Sequence, residues 1–128
     1  MDSPLDGLSQ ESSDKCRRIH DMGFPLDRLA RACKVLGNDD QKLINYCLLV
    51  DKLAEDSTMA SAQRSVSNFG RVVEEVTFLH SMDEELTRKH LKAFCRLAEF
   101  GFEPPSKIHD ALIKCDLDYE KAFEKMLE

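Results

Sequence analysis

No apolar run in this chain approaches the roughly 20 residues that a membrane span requires, so no membrane-inserted segment is expected. The opening "MDSPLDGLSQ" is acidic and has no apolar core, so no secretory signal is expected either. The 5 cysteines are odd in number and none stands in a CxxC pair. That pattern argues against a disulfide framework or a structural zinc site, and for reduced thiols in the cytosol or nucleus. Basic charge is also in short supply: 18 Lys and Arg against 24 Asp and Glu leave a net charge of -6. Such a chain is poorly equipped to displace counterions from nucleic-acid phosphates, so the expected partners are proteins, not nucleic acid.

What is present is helical periodicity. At 128 residues, 42% of them hydrophobic, the chain has room for one domain or a few very small units sharing a core. Residues 1–12 are rich in Ser, Asp and Gly without periodicity, and read as a disordered lead. A first unit follows over residues 13–53, with Ser13 as candidate N-cap and helical patterns at residues 14–21, 25–36 and 39–53. Its punctuation is consistent. Gly23 and Gly37 sit at C-cap positions, Pro25 suits a first helical turn, and Asn38 with Gln41 has capping-box spacing. Leu26, Leu29, Ala30 and Cys33 form one apolar stripe; Leu43, Ile44, Cys47 and Leu48 form another.

Residues 54–68 are Ser-rich and weakly patterned, and read as a linker. In "VVEEVTFLH" the apolar residues recur at helical spacing, predicting a helix over 71–80, with a short strand as the alternative because β-branched residues adjoin. Ser81 with Glu84 then has the spacing of a capping box opening a long helix over 82–100. On that helix Phe100, Ala93, Leu86, Leu97, Phe94, Ala98, Leu91, Cys95 and His90 spread over roughly 220° at 100° per residue. Packing on one neighbour needs a stripe of only about 100°, so this helix is expected to pack on two sides.

The tail repeats the head. "MGFPLDRLARACKVLGNDDQKLINYCLL" aligns with "FGFEPPSKIHDALIKCDLDYEKAFEKML" once one residue is allowed near Pro104. Gly23 then meets Gly101, Phe24 meets Phe102, Leu29 meets Ile108 and Ala32 meets Ala111. Agreement in caps as well as core argues for a duplicated three-helix unit. The middle string "VVEEVTFLHSMDEE" has the rhythm of "RLARACKVLGNDDQ" and reads as a third, degenerate copy. It occupies residues 69–100 and shares its long helix with a last unit over 82–128.

With Met-Gly-Phe after a first short helix, then a second helix and "GNDDQKLINYCLL", the first unit resembles a ubiquitin-associated (UBA) domain, a three-helix bundle of about 40 to 50 residues. A tandem of three with shared helices is similar to the solenoid of overlapping UBA domains found in the ESCRT-I endosomal sorting complex. The string "VVEEVTFLH", an acidic cap, a long helix, "EFGFE" and a final pair of helices carry that closer match, over residues 15–128. The resemblance implies an all-α fold of about seven helices, in three overlapping three-helix units forming a small solenoid. It also implies a cytoplasmic, endosome-associated module that binds ubiquitin or polyubiquitin without cofactor or catalysis. Other ESCRT-I subunits would be met through regions outside this chain.

In that family the apolar patch of ubiquitin docks on the Met-Gly-Phe turn and the end of the third helix. Carried over, this implies Met22, Gly23, Phe24, Leu48 and Leu49 in the first unit, and Gly101, Phe102, Met126 and Leu127 in the last, where Phe100 replaces the Met. Gly permits close approach, Met adapts its shape and an exposed Leu supplies apolar area. The competing reading is that Met22 and Phe24 staple their own helices together, leaving a helical scaffold for a partner other than ubiquitin. The middle unit lacks the motif, since Phe69 and Gly70 do not align with the turn. Asp21 and Glu99, each just before a turn, are placed to complement basic residues flanking the ubiquitin patch.

Metal and catalytic readings are weaker. Cys16 and His20 lie one helical turn apart and Cys95 is near His90, but four convergent ligands are absent from the pattern. Cys33, Cys47 and Cys95 fall on apolar faces and read as core. Cys115 with His109 is a formal nucleophile and base pair, yet nothing orients a third group, so no enzyme is expected. His80 and His109 read as surface or helix-end residues.

Overall fold

The computed structural model describes residues 4–60 and 66–128, and over them the chain is all-α. Among the described residues seven helices run in order: α1 (Gln10–His20), α2 (Leu26–Leu36), α3 (Asp40–Ala54), α4 (Phe69–Leu79), α5 (Glu84–Phe100), α6 (Pro105–Lys114) and α7 (Tyr119–Met126). A 3-10 turn occupies Ser57–Met59, and no strand occurs among the described residues. The strand alternative for "VVEEVTFLH" therefore fails: its β-branched residues lie on α4, where Val73, Val76 and Thr77 are buried. The chain divides into two units, Met1–Asp51 and Lys52–Glu128, with the boundary inside the last turn of α3.

The first unit starts earlier than composition suggests. Ser9, in extended backbone, accepts from the Ser12 N–H at 3.1 Å and so caps α1 one turn before Ser13. Leu5 is buried and its carbonyl accepts from the Leu8 N–H at 3.1 Å. Residues 5–12 are thus not a disordered lead, while residues 1–3 of that expectation lie outside the described residues. A single buried Leu anchors the segment, and one apolar residue leaves no period to detect.

α1 packs on α2 through Cys16 and Ile19 on one side and Leu29, Ala30, Ala32 and Cys33 on the other, all buried. α3 adds Leu43, Tyr46, Cys47 and Val50 to the buried set. Asp39, rather than Asn38, caps α3 by accepting from the Lys42 N–H at 3.1 Å. Lys15 donates to the Asn38 carbonyl at 2.8 Å, fastening α1 to the start of α3, and Arg28 of α2 meets Asp51 of α3 at 2.6 Å.

In the second unit the expected linker is partly built into the fold. Asp56 accepts from the Thr58 N–H at 2.9 Å and hydroxyl at 2.6 Å, closing the 3-10 turn, and Arg88 of α5 reaches it at 3.2 Å. Met59 is buried. The cap Asp-Ser-Thr was hidden in a Ser-rich composition; residues 61–65 of the expected linker lie outside the described residues. α5 packs against α4, α6 and α7, burying Thr87, His90, Leu91, Ala93, Phe94, Cys95 and Leu97. These cover roughly 200° of its circumference, so the two-sided packing read from its pattern is present. Leu86 and Phe100, members of the expected arc, are instead exposed.

Two turns in this unit are built alike. Ser81 and Met82 both take positive φ, 52° and 65°, and Asp116 and Leu117 repeat this at 54° and 62°. The Met82 N–H donates to the Thr77 carbonyl and the Leu117 N–H to the Leu112 carbonyl, each at 2.8 Å. Asp83 then caps α5 through the Leu86 N–H at 2.9 Å, and Asp118 caps α7 through the Lys121 N–H at 3.1 Å. Ser81 cannot be the cap it was expected to be, because an N-cap needs extended backbone and Ser81 is left-handed. The α4 to α5 and α6 to α7 connections therefore share one backbone geometry.

Candidate functional site

In the first unit the candidate turn begins where Ile19, buried, anchors the end of α1. The Met22 N–H donates to the Ile19 carbonyl at 3.0 Å and the Gly23 N–H to the His20 carbonyl at 2.9 Å. Gly23 then takes φ 111°, a backbone region that a side chain makes costly. His20 closes the loop, donating from Nδ1 to the Phe24 carbonyl at 2.7 Å. Pro25 starts α2 as its N-cap residue rather than inside its first turn, accepting from the Leu29 N–H at 3.2 Å. With the backbone so held, Met22 is left 63% exposed and Phe24 half-buried. On α3 Leu48 is 54% exposed and Leu49 half-buried, between the buried Cys47 and Val50.

The matching turn of the second unit has a different register. Gly101, at φ 108°, follows α5 directly, and the Phe102 N–H reaches back to the Leu97 carbonyl at 3.3 Å. In the first unit Asp21 and Met22 intervene between helix and glycine. Phe100 is 63% exposed and Phe102 half-buried, and their rings stack at 5.4 Å between centroids. Both meet Phe123 of α7 edge to face, at 4.7 Å and 5.3 Å. The structure thus brings the turn and α7 together. Leu127, at the end of α7, is 64% exposed, while Met126 is half-buried.

Sequence reasoning missed the aromatic face of α7. Tyr119 lies 6.0 Å from Phe123 and carries the Arg96 guanidinium 3.8 Å above its ring, a cation–π contact. Phe100, Tyr119, Phe123, Glu120 and Glu124 enclose a groove of about 380 Å³, apolar at its floor and acidic at its rim. The signal was available: Tyr119, Phe123 and Leu127 follow one another at intervals of four and so share a helix face. In the middle segment Phe69 is buried at the start of α4.

The remaining chemistry-bearing residues are interior. Cys16, Cys33, Cys47 and Cys95 are buried and Cys115 half-buried. Burial, with Cys33 alongside, pushes the Cys16 thiol up to about 11, and burial with Glu99 pushes Cys95 up to about 12, so neither carries thiolate at neutral pH. No group of three metal-ligating side chains converges among the described residues. His109 is not a surface residue as expected; it is half-buried and stacks on Phe94 at 4.4 Å, and its Nδ1 lies against His90. Compared with known proteins, the sequence matches no family model and no curated relative.

Proposed function

We propose that the chain is a non-enzymatic ubiquitin-binding module, recognising ubiquitinated cargo in endosomal sorting as part of ESCRT-I. One observation carries the reading. Each unit follows a helix with a turn whose glycine takes positive φ and leaves a large apolar side chain in solvent beside it, Met22 at Gly23 and Phe100 at Gly101. An exposed apolar residue on a held backbone is what a small docking patch needs. The twin turns of the second unit support the overlapping three-unit arrangement that the UBA resemblance implies. Acidic residues rim the second patch, Glu120 and Glu124, and would suit a partner whose apolar patch is flanked by cations.

Patches of this size give weak contacts, since interfaces below about 1,200 Å² usually do. Two patches on one chain raise affinity for linked partners without any new contact, so polyubiquitin is preferred over the monomer. The module is cytoplasmic and endosome-associated on this reading, and other ESCRT-I subunits engage regions outside it. An NMR titration of the full chain with ubiquitin and with diubiquitin tests it. Shifts are expected at residues 22–24 and 48 and at residues 100–102, 123 and 127, with tighter binding by the dimer; equal affinities would sink the avidity claim. The stacking of Phe100 and Phe102 on Phe123 favours a second reading, a scaffold whose turns serve its own fold. Shifts elsewhere, or none, would favour that.

A further inference from the structure

Three imidazoles in the second unit form a continuous hydrogen-bonded row. His80, at the end of α4, places Nε2 3.0 Å from His90 Nδ1, and His90, in the middle of α5, places Nε2 2.8 Å from His109 Nδ1 on α6. The central ring is fully buried, and Phe94 stacks flat on His109. We propose that this row is a proton-operated latch: it ties α4, α5 and α6 together while it holds at most one extra proton, and it releases them when it takes a second.

The argument is a count of protons. A neutral imidazole has one N–H and one lone pair, so three neutral rings satisfy both junctions, with every N–H pointing along the row in one direction or the other. A first extra proton is also accommodated. His80 Nδ1 and His109 Nε2, the outer nitrogens, then both carry N–H while each junction keeps one. A second extra proton has no such place and must go to a junction nitrogen, setting N–H against N–H inside the core. A buried polar contact of that kind is strongly unfavourable, and the helices separate to let water in.

The surroundings oppose charge in the middle and tolerate it at the ends. Asp83, the cap of α5, faces His80; Glu75 of α4 and Asp110 of α6 face His109; His90 is faced by the two other rings. No group acting on the three rings comes from α7 among the described residues. Burial, then His109 and His80, pull His90 down to about 3, and burial also lowers His80 and His109 against the pull of those carboxylates. A base whose folded-state value lies below its unfolded value near 6.5 favours the fold while uncharged. Its contribution is complete above that value and is lost as pH falls from there.

The unfolded chain binds nearly three protons at these histidines by about pH 5, and the folded row binds at most one, so unfolding takes up about two or more. The unfolding constant of the full chain therefore rises at least about 100-fold from this source between pH 5.5 and 4.5. Urea unfolding across that window, on the native sequence and on His90→Gln, reads the effect, and the variant should lose most of the steepness. Equal steepness in the two chains would overturn the latch. Imidazole NMR on the native chain decides independently, including where the variant does not fold. The latch requires that no more than one of the three rings be charged for as long as the helices persist; two of them titrating within an intact fold refutes it. The proposal stands apart from ubiquitin binding, and neither measurement involves a partner.

Discussion

The ring of Phe100 stands edge-on to that of Phe123 at 4.7 Å, yet 63% of Phe100 remains in solvent. One edge of the side chain serves the fold and the rest is free to meet a partner. Phe100→Ala is therefore expected to cost roughly 0.5–1.5 kcal/mol, the size of an aromatic pair, instead of the 3–5 kcal/mol of a core Phe. It should also weaken ubiquitin binding at the second unit. Urea unfolding and titration together decide: a core-sized loss of stability with unchanged binding means the residue is a staple.

Met22→Asp should leave stability within about 0.5 kcal/mol, because the side chain is mostly in water and its backbone is held by other residues. Ubiquitin-induced shifts should vanish at residues 22–24 and 48 and persist at residues 100–102 and 123. If the first unit melts instead, Met22 belongs to the hydrophobic interior and the docking turn is misassigned.

Arg28 and Asp51 pair at 2.6 Å with the Arg side chain only 13% exposed. Asp51→Ala removes a carboxylate held close to a largely buried guanidinium and is expected to cost about 1.5–3 kcal/mol. The Lys52 to Glu84 pair, at 3.0 Å, is open to water on both sides, so Lys52→Ala should cost under about 1 kcal/mol. Thermal unfolding of the two variants ranks them; a larger loss from Lys52→Ala would contradict the burial argument.

The twin turns make a paired test. Asp83→Ala and Asp118→Ala each remove an N-cap and should each cost about 1 kcal/mol. Ser81→Gly should instead stabilise, by up to about 1 kcal/mol, because it relieves a left-handed non-glycine residue. Destabilisation by Ser81→Gly would restore Ser81 as a capping residue, and calorimetry on the three variants is sufficient to tell.

The helices were legible because their apolar residues recur at helical spacing; the five to which the pattern gives bounds appear close to them, α1 starting four residues early. Caps were less legible. Ser9 and Ser13, or Ser81 and Asp83, are chemically competent alternatives, and the choice rests on where the backbone turns, which Leu5 and the left-handed Ser81 decide. The turn residues Met22, Gly23 and Phe100 could be singled out by their repetition in two copies. The aromatic face of α7 and the histidine row could not be weighed the same way. Phe123 touches Phe100 across two helices, and His80, His90 and His109 come from three, so their meeting depends on packing that no local window contains.

α5 presents apolar surface to α4 and again to α6 and α7, so no cut through the second unit leaves a finished three-helix bundle on both sides. Removing everything after α5 would strip Phe94 and the His109 side of His90 of their cover while sparing the α4 contact.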